Sequence, residues 1–185
     1  MSLYGSSVEY GLHCLLHLAE PSADGPFSSR DLAEFQGVSP SYVAKLFTQL
    51  EKAGIVESAE GVGGGFRLAR PAASVTVLDV VRALEGEKPL FRCREVRRNC
   101  VLYSDDPPDW ATRGVCSIHA LMIEAEKQML AVLGDRTLAD LAGDVGGKIP
   151  KSFGERKSDW FDGRRQVRRG VGGRTGSGKA EGTQR

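Results

Sequence analysis

The spacing of hydrophobic and polar residues predicts a helix near the start of the chain. Over residues 6–19, apolar side chains return every three or four positions, which is the repeat of one helix face. That apolar face comprises Val8, Leu12, Leu15, Leu16 and Ala19. Ser6 or Ser7 can serve as the N-cap of this segment. We therefore expect an amphipathic helix whose apolar face packs on a core.

The next stretch carries the pattern of two short helices joined by a tight turn. Ser28 or Ser29 can cap the first helix, and Gly37 lies in the turn that follows it. Ser39 precedes the second helix and Pro40 takes its first position, where the N–H that proline lacks would be unpaired anyway. The apolar positions are Leu32, Ala33 and Phe35 in the first helix and Val43, Leu46, Phe47 and Leu50 in the second. This layout is typical of a helix-turn-helix.

A β-hairpin is predicted directly after the second helix. Residues 55–58, Ile-Val-Glu-Ser, are strand-like, and the run GVGGG at 61–65 suits the tip of a hairpin. The run FRLAR at 66–70 alternates apolar and basic residues, as a half-buried strand does. A hairpin at this position is the wing of a winged helix-turn-helix. Because the glycine run lacks the Lys-Ser or Lys-Thr of a phosphate-binding loop, we do not expect a nucleotide site there.

The second half of the chain alternates between helical and irregular sequence. A helix is predicted over residues 76–85, which begin with a Thr-x-x-Asp capping arrangement. Residues 86–115 have no periodicity, and an irregular run of this length is typical of a functional or disordered segment. Helical spacing returns over residues 117–135 and predicts a long amphipathic helix of the kind that mediates dimerisation. Its apolar positions are Ile118, Leu121, Met122, Ala125, Met129, Val132 and Leu133.

Charge is unevenly distributed along the chain. The net formal charge is +1, but residues 144–185 carry 11 Lys/Arg against 5 Asp/Glu, whereas residues 1–143 carry 14 against 19. A net-negative folded part argues against DNA binding by bulk attraction, so any DNA contact must rest on local patches. The glycine-rich basic segment lacks helical spacing, which predicts a disordered tail. No apolar run is long enough to cross a membrane and no signal-peptide pattern occurs, so we expect a cytoplasmic protein with no membrane partner.

These features together resemble the Rrf2 family of bacterial transcriptional regulators, which includes the IscR, NsrR and RsrR types. The resemblance lies in SPSYVAKLF, in GIV followed by GGGFRLARP, in cysteines before a long helix, and in TLADL. It implies a mainly α fold with a small β-hairpin wing and a long dimerisation helix, acting as a homodimer on palindromic operators in double-stranded DNA. The implied divisions are a winged helix-turn-helix (1–84), a cluster-binding loop (85–116), a dimerisation helix with a further helical turn (117–143) and a disordered basic tail (144–185).

The resemblance also implies which residues meet DNA, with the helix after Ser39 in the major groove. The implied DNA-binding residues are Ser29, Arg30, Ser39, Ser41, Tyr42, Lys45 and Arg67. Ala44 stands where some relatives carry a Glu that helps to choose between operator classes, so their operator preferences do not transfer. Glu60 stands where an Arg often enters the minor groove, whose negative potential would repel a carboxylate. We expect a weaker wing contact, or phosphate binding by Arg67 and the basic tail instead, unless the tail only aids solubility.

The chain contains four cysteines, which are Cys14, Cys93, Cys100 and Cys116. Clustered cysteines in a chain of this kind indicate metal or redox chemistry rather than a disulfide framework. Cys14 lies near the apolar face of the first helix, and we expect it to be a small buried hydrophobe. Glu9 and His13 stand one turn apart on the same helix, where they could be metal ligands, salt-bridge partners or surface groups.

Three ligand sets found in the family fit these residues, because iron–sulfur clusters are held mainly by thiolates with occasional His or carboxylate ligands. The IscR-like set is Cys93, Cys100, Cys116 and His119. The NsrR-like set is the same three cysteines with Glu9 of the other subunit. The RsrR-like set is Cys93 and Cys116 with Glu9 and His13 of the other subunit. We favour the RsrR-like set, which uses the long spacing between its cysteines and accounts for the polar pair on the first helix, and a 2Fe–2S over a 4Fe–4S cluster. Zinc or no metal are the alternatives.

The sequence therefore predicts a DNA-binding transcriptional regulator, expected to be a repressor, that senses redox or nitrosative state or iron–sulfur status through a bound cluster. The alternative is a cluster-free winged-helix regulator that responds to a small ligand, a partner protein or thiol oxidation. An enzyme that uses Glu9, His13 and Cys14 is disfavoured, because Cys14 points about 100° round the helix from His13. We accordingly expect no enzymatic activity.

Overall fold

The computed structural model describes residues 3–20, 25–61, 63–103 and 106–172. Its first three helices are α1 (Ser6–Ala19), α2 (Ser29–Gln36) and α3 (Pro40–Lys52). The Ser28 hydroxyl caps α2 by accepting a hydrogen bond from the Arg30 N–H at 3.2 Å, and α2 ends at Gly37, which has a φ of 65°. Pro40 takes the first position of α3. The predicted helix-turn-helix is thus confirmed.

The wing consists of β1 (Val56–Ala59) and β2 (Gly65–Leu68), which pair in antiparallel fashion with Val56 opposite Leu68. The Phe27 N–H donates to the Phe66 carbonyl at 2.9 Å, and the Phe66 N–H donates back at 2.8 Å. This bridge ties the segment before α2 to the wing. A Cβ at Gly65 would lie 2.5 Å from the Phe27 carbonyl oxygen, so the close approach of two backbones explains this glycine. The predicted hairpin is confirmed.

The chain after the wing is helical apart from one long loop. The helices are α4 (Val77–Glu85), the short α5 (Asp109–Thr112), α6 (Ser117–Gly134), α7 (Leu138–Gly146) and α8 (Lys151–Gly172). Thr76 and Asp79 form the predicted capping box at the start of α4, with hydrogen bonds of 3.1 and 3.0 Å. Short 3-10 turns at Ala72–Ser74, Val96–Asn99 and Val101–Tyr103 complete the backbone. In the described part of the chain, no helix combines the length and apolar character needed to span a membrane.

The main hydrophobic core lies where α1, α3, α4 and the wing meet. Burial of apolar area stabilises this core by roughly 25 cal/mol for each Å² removed from water. Its largest fully buried side chains include Phe47, Leu15, Leu32, Leu46, Leu50 and Ile55. All four predicted apolar positions of α3 are buried. By contrast, α6 packs against α4 but contributes no buried residue, so most of its apolar surface faces solvent.

Helix α1 differs from its predicted form in two respects. Its N-cap is Gly5 rather than Ser6 or Ser7, and the Ser7 side chain instead hydrogen-bonds to Glu85 of α4. Its buried face also includes His17, although the predicted stripe contains only apolar residues. A later element of the chain covers that histidine and accounts for its burial.

That later element is α8. The prediction of a disordered tail over residues 144–185 is therefore wrong as far as residue 172. Phe161 of α8 is 4% exposed, and its ring centroid lies 5.0 Å from that of Phe27 and 5.0 Å from that of Phe35. Lys157 of α8 forms an ion pair with Glu20, just after α1. The helix therefore docks on α1, α2 and the segment between them. Residues 173–185, the remainder of the predicted tail, lie outside the described residues.

Candidate DNA interface and metal site

The outward side of α3 carries three of the predicted DNA-binding residues. Ser39, Ser41 and Lys45 are exposed, while Val43 and Leu46 on the other side of the helix are in the core. The hydroxyl oxygens of Ser39 and Ser41 are hydrogen-bonded to each other at 2.9 Å. Hydroxyls and an ammonium group on one exposed helix face suit phosphate oxygens and base edges. The structure thus brings these three residues onto one surface.

Tyr42, the fourth predicted residue of α3, is half-buried and packs on another helix. Its ring meets Tyr10 of α1 edge to face, with centroids 5.9 Å apart and an interplanar angle of 89°. Aromatic pairs in this geometry contribute about 0.5–1.5 kcal/mol beyond their buried area. Tyr42 is therefore a contact between α1 and α3 as well as a candidate DNA-binding residue.

The start of α2 offers two further predicted contacts. Ser29 is its first residue and is half-buried, and Arg30 is exposed beside it. The N–H groups in the first turn of a helix have no partner within the helix and carry partial positive charge. A phosphate oxygen can accept hydrogen bonds from such groups, and an adjacent guanidinium adds a full charge.

The wing is poorer in available positive charge than the sequence suggests. The Arg67 guanidinium donates from Nε to the Glu57 carboxylate at 2.6 Å, across the hairpin. Glu60, near the tip, is exposed. Among the described residues of the hairpin, the one basic side chain is thus already neutralised by a carboxylate.

Helix α8 places basic residues against the helix-turn-helix. These residues belong to the segment that was predicted to be a disordered tail. Arg164 pairs with Glu34 and Arg168 pairs with Asp31, so two carboxylates of α2 are neutralised from α8. The run RRQVRR at 164–169 is visible in the sequence as a basic cluster. Its carboxylate partners on α2 are remote in sequence, so no local pattern identifies them.

Two of the predicted ligand cysteines share one set of neighbours in the loop before α6. The Glu95 N–H donates to the Cys93 sulfur at 3.4 Å, and the Glu95 carboxylate accepts from Arg97 at 2.8 Å. The Arg97 guanidinium also donates to the Gly114 carbonyl at 2.6 Å, two residues before Cys116. Arg97 therefore ties the two ends of the loop together and brings Cys93 and Cys116 into its positive field.

Cys116 occupies the N-cap position of α6. The backbone N–H groups of His119 and Ile118 lower the pKa of its thiol, and the charge of Arg97 lowers it further. These N–H groups face the sulfur without forming a cap hydrogen bond of standard geometry. A lower pKa stabilises the thiolate, which is the form that binds metals, relative to an ordinary cysteine.

The alternative ligands Cys100 and His119 have different surroundings. The Cys100 carbonyl accepts from the Tyr103 N–H at 3.0 Å in a tight turn, and none of the interactions found in the described residues joins its sulfur to the other cysteines. The His119 ring lies 6.1 Å, centroid to centroid, from that of Phe91. Arg97 thus links Cys93 and Cys116, and no such link to Cys100 is found in the described chain. His119 lies in the first turn of α6, beside Cys116.

The remaining predicted ligands, Glu9 and His13, are both exposed on α1. Cys14 is completely buried on the other side of the helix, and burial raises the pKa of its thiol to about 12. Cys14 is therefore the small core residue that the sequence predicted. Within the described part of the single chain, no three Cys, His, Asp or Glu side chains converge on a common metal position. Two cysteines beside a guanidinium and an exposed carboxylate–imidazole pair are suitable donors for an iron–sulfur cluster, provided two chains supply them.

Comparison with known proteins identifies relatives of residues 4–144. The model of the Rrf2 family, described as "Iron-dependent Transcriptional regulator", matches this range. Protein rrf2 of Nitratidesulfovibrio vulgaris is 38% identical over 136 residues, which are 74% of this chain and 84% of that protein. The HTH-type transcriptional regulator IscR of Vibrio atlanticus is 32% identical over 139 residues, 75% of this chain and 74% of that protein. The structure is similar to CymR, the global cysteine regulator of B. subtilis, with a TM-score of 0.61 and 26% identity over 77% of this chain and 98% of CymR.

Proposed function

Since the chain belongs to the Rrf2 family of transcriptional regulators, we propose that it is a redox-responsive repressor that binds a palindromic operator as a homodimer. In this proposal, Cys93 and Cys116 of one subunit hold an iron–sulfur cluster with Glu9 and His13 of the other. The cluster would be of the 2Fe–2S type. DNA as the partner makes the cytoplasm the compartment of action.

The exposed apolar face of α6 supports the homodimer. Ile118, Leu121 and Val132 are each more than 60% exposed, and Ile123 is 48% exposed. By the helical repeat of about 100° per residue, Ile118, Leu121 and Val132 lie on one side of α6, and exposed apolar side chains grouped on one helix face are typical of an interface. A second copy of α6 can cover it, which would bring the loop before α6 close to the other subunit.

The observation that carries the cluster proposal is that the four proposed ligand side chains lie in two separate pairs, which we call half-sites. Cys93 and Cys116 both lie in the field of Arg97, while Glu9 and His13 stand exposed one turn apart on α1. Within the described chain, no group of three Cys, His, Asp or Glu side chains is placed to hold a metal ion. A site completed between subunits accounts for both half-sites. The family description, which names iron dependence, points the same way.

When bound, the cluster would supply a reversible one-electron change at the junction of the two subunits. The protein's part is to connect that junction to the DNA-binding helix. Glu9 and His13 flank Tyr10, whose ring packs on Tyr42 of α3. A small shift of α1 would therefore move α3, and operator affinity would change by the difference in stability between the two arrangements.

A mixed dimer tests the shared site. One subunit carries Glu9→Gln and His13→Gln, and the other carries Cys93→Ser and Cys116→Ser, with different affinity tags for anaerobic co-purification. Each homodimer of a double variant should be colourless and free of iron and sulfide. The mixed dimer retains one intact site of two, so we expect about half of the wild-type iron and visible absorbance. A colourless mixed dimer would contradict a site shared between subunits.

The second candidate is a regulator that uses no cluster and responds to a small ligand, a partner protein or thiol oxidation. The similarity to CymR, a global cysteine regulator, favours it. Metal and sulfide analysis of wild-type protein purified without oxygen separates the two candidates. Metal-free protein whose operator binding is independent of redox state would overturn the cluster proposal.

A further inference from the structure

Helix α8 lies outside the part of the chain that the family model matches, which ends at residue 144. Aromatic contacts and ion pairs place it against the DNA-binding domain. Phe161 is inserted among the rings of Phe27, Phe35 and His17, at centroid distances of 5.0, 5.0 and 5.4 Å. Ion pairs from Lys157 and Arg164 fix the same side of the helix to α1 and α2. The direction of α8 across the domain is therefore set by packing, and its last turns reach the wing.

The docked helix changes the charge of the DNA-binding domain. Residues 28–70, which form the helix-turn-helix and the wing, contain five Lys/Arg and five Asp/Glu and so have no net charge. Residues 151–172 contain seven Lys/Arg and three Asp/Glu. Because Asp31 and Glu34 would otherwise repel phosphates from α2, their pairing with Arg168 and Arg164 removes an obstacle to DNA binding.

Arg169 is the one arginine of the run RRQVRR at 164–169 for which no ion pair is found in the described chain, because Arg164, Arg165 and Arg168 each pair with a carboxylate. A Cβ at Gly63, near the wing tip, would lie 3.2 Å from its Nε, so the guanidinium rests against the wing backbone. The side chain is exposed, and no carboxylate lies within ion-pairing distance of it in the described chain. Arg67, the basic residue of the hairpin itself, is occupied by Glu57. Glycine at position 63 leaves the space that this contact requires.

We propose that α8 is a third DNA-binding element, in which Arg169 contacts a backbone phosphate of double-stranded DNA beside the wing tip. The planar guanidinium can donate two parallel hydrogen bonds to a phosphate. It supplies the positive charge that the acidic wing lacks, and the docking contacts of α8 hold it there in advance. This inference rests on the DNA-binding part of the proposed function and does not depend on the cluster.

The test compares full-length Arg169→Gln with Arg156→Gln. Arg156 is also exposed on α8, but it lies 13 residues earlier and thus roughly 20 Å away along the helix axis. The probe is a fluorescein-labelled 30-base-pair duplex of mixed sequence, because phosphate contacts do not depend on base sequence. Affinity is measured by anisotropy from about 50 to 200 mM salt. Circular dichroism melting verifies that both variants are folded.

We expect Arg169→Gln to bind the duplex about three- to tenfold more weakly at intermediate salt. The slope of log affinity against log salt should become shallower by about 0.9 for each subunit in contact with DNA. Arg169→Lys should retain most of the slope, and Arg156→Gln should match the wild type. Three outcomes would each overturn the proposal. They are equal salt slopes for Arg169→Gln and the wild type, equal losses of affinity in the two glutamine variants, and tighter binding by Arg169→Gln. Wild-type protein that fails to bind the duplex even at the lowest salt would overturn DNA binding itself.

Discussion

The ring of Tyr10 on α1 meets the ring of Tyr42 on α3 edge to face, with centroids 5.9 Å apart. Tyr10 directly follows Glu9, a proposed ligand, and Tyr42 belongs to the helix proposed to enter the major groove. The pair is thus a short physical connection between the proposed sensing site and the DNA-binding surface. Coupling between two sites requires an element that responds to both, and this contact is suited to that role.

Replacing Tyr10 with Leu should weaken that connection. We expect a loss of about 1 kcal/mol in unfolding free energy, because the aromatic pair is lost while most apolar area is kept. The ratio of operator affinities between the oxidised and reduced protein should move towards one. Tyr10→Phe keeps the ring and should preserve the ratio. Titration of both redox states with operator DNA measures it, and an unchanged ratio in Tyr10→Leu would remove Tyr10 from the coupling path.

Single substitutions of the loop cysteines distinguish the ligand sets. Cys93 and Cys116 share the neighbourhood of Arg97, whereas Cys100 has no described contact with either. We expect Cys93→Ser and Cys116→Ser each to lose at least nine-tenths of the bound iron. The reason is that disturbing the residues that hold a metal lowers its affinity by about tenfold or more. Cys100→Ser should retain it. Iron loss in Cys100→Ser of the same size would instead favour the IscR-like or NsrR-like set.

The helix-turn-helix and the wing could be predicted from the sequence because their signals are local. Ser28, Pro40 and the Thr76–Asp79 capping box mark helix ends within a few residues of the chain they organise. The apolar spacing of α3 likewise matches its buried face without exception. Such segments can be predicted from their own local sequence, without knowledge of the residues that pack on them from elsewhere in the chain.

Helix α8 could not be predicted in this way, because its stabilising contacts come from elsewhere in the chain. It contains glycines at positions 154, 163, 170 and 172, and a glycine in a helix interior, such as Gly163, costs up to about 1 kcal/mol relative to alanine. Packing of Phe161 and the ion pairs to Glu20, Asp31 and Glu34 offset this cost. The burial of His17 was missed for the same reason. The residues of the two proposed half-sites could be named from the sequence, but the proposed site would need a second chain to complete it.

Replacing Phe161 with Ala should release α8 from the DNA-binding domain. Removing a buried phenylalanine side chain costs about 3 kcal/mol or more, which is enough to shift a local docking equilibrium towards the detached state. We expect faster tryptic cleavage after the arginines of residues 164–169, measured by mass spectrometry over time. Phe153→Ala is the matched control, because Phe153 is 42% exposed on the same helix. Equal cleavage rates in the two variants would show that Phe161 does not hold α8 in place.

Docking of α8 should also weaken as pH falls from about 6.5 to about 4. Burial lowers the pKa of His17 from 6.5 to about 4, with smaller contributions from the charges of Lys157 and His13. Its Nε2 hydrogen-bonds to Gln36 at 2.9 Å, while its Nδ1 is buried with no partner in the described chain. When α8 detaches, His17 becomes accessible and regains an ordinary pKa. The detached state then binds the proton first, so docking is fully stable above pH 6.5 and loses about 1.4 kcal/mol per pH unit below it.

Fluorescence of Trp160 in cluster-free protein with Trp110→Phe measures this docking as a function of pH. The neighbouring carboxylates Glu20, Asp31 and Glu34 also lose their ion pairs in acid, so the His17 contribution must be isolated by difference. His17→Phe keeps a ring in the aromatic cluster but removes the titrating group. We expect its docking to be nearly constant between pH 6.5 and 5, where the wild type loses about 2 kcal/mol. Parallel curves for the two proteins in that interval would mean that His17 does not control the docking of α8.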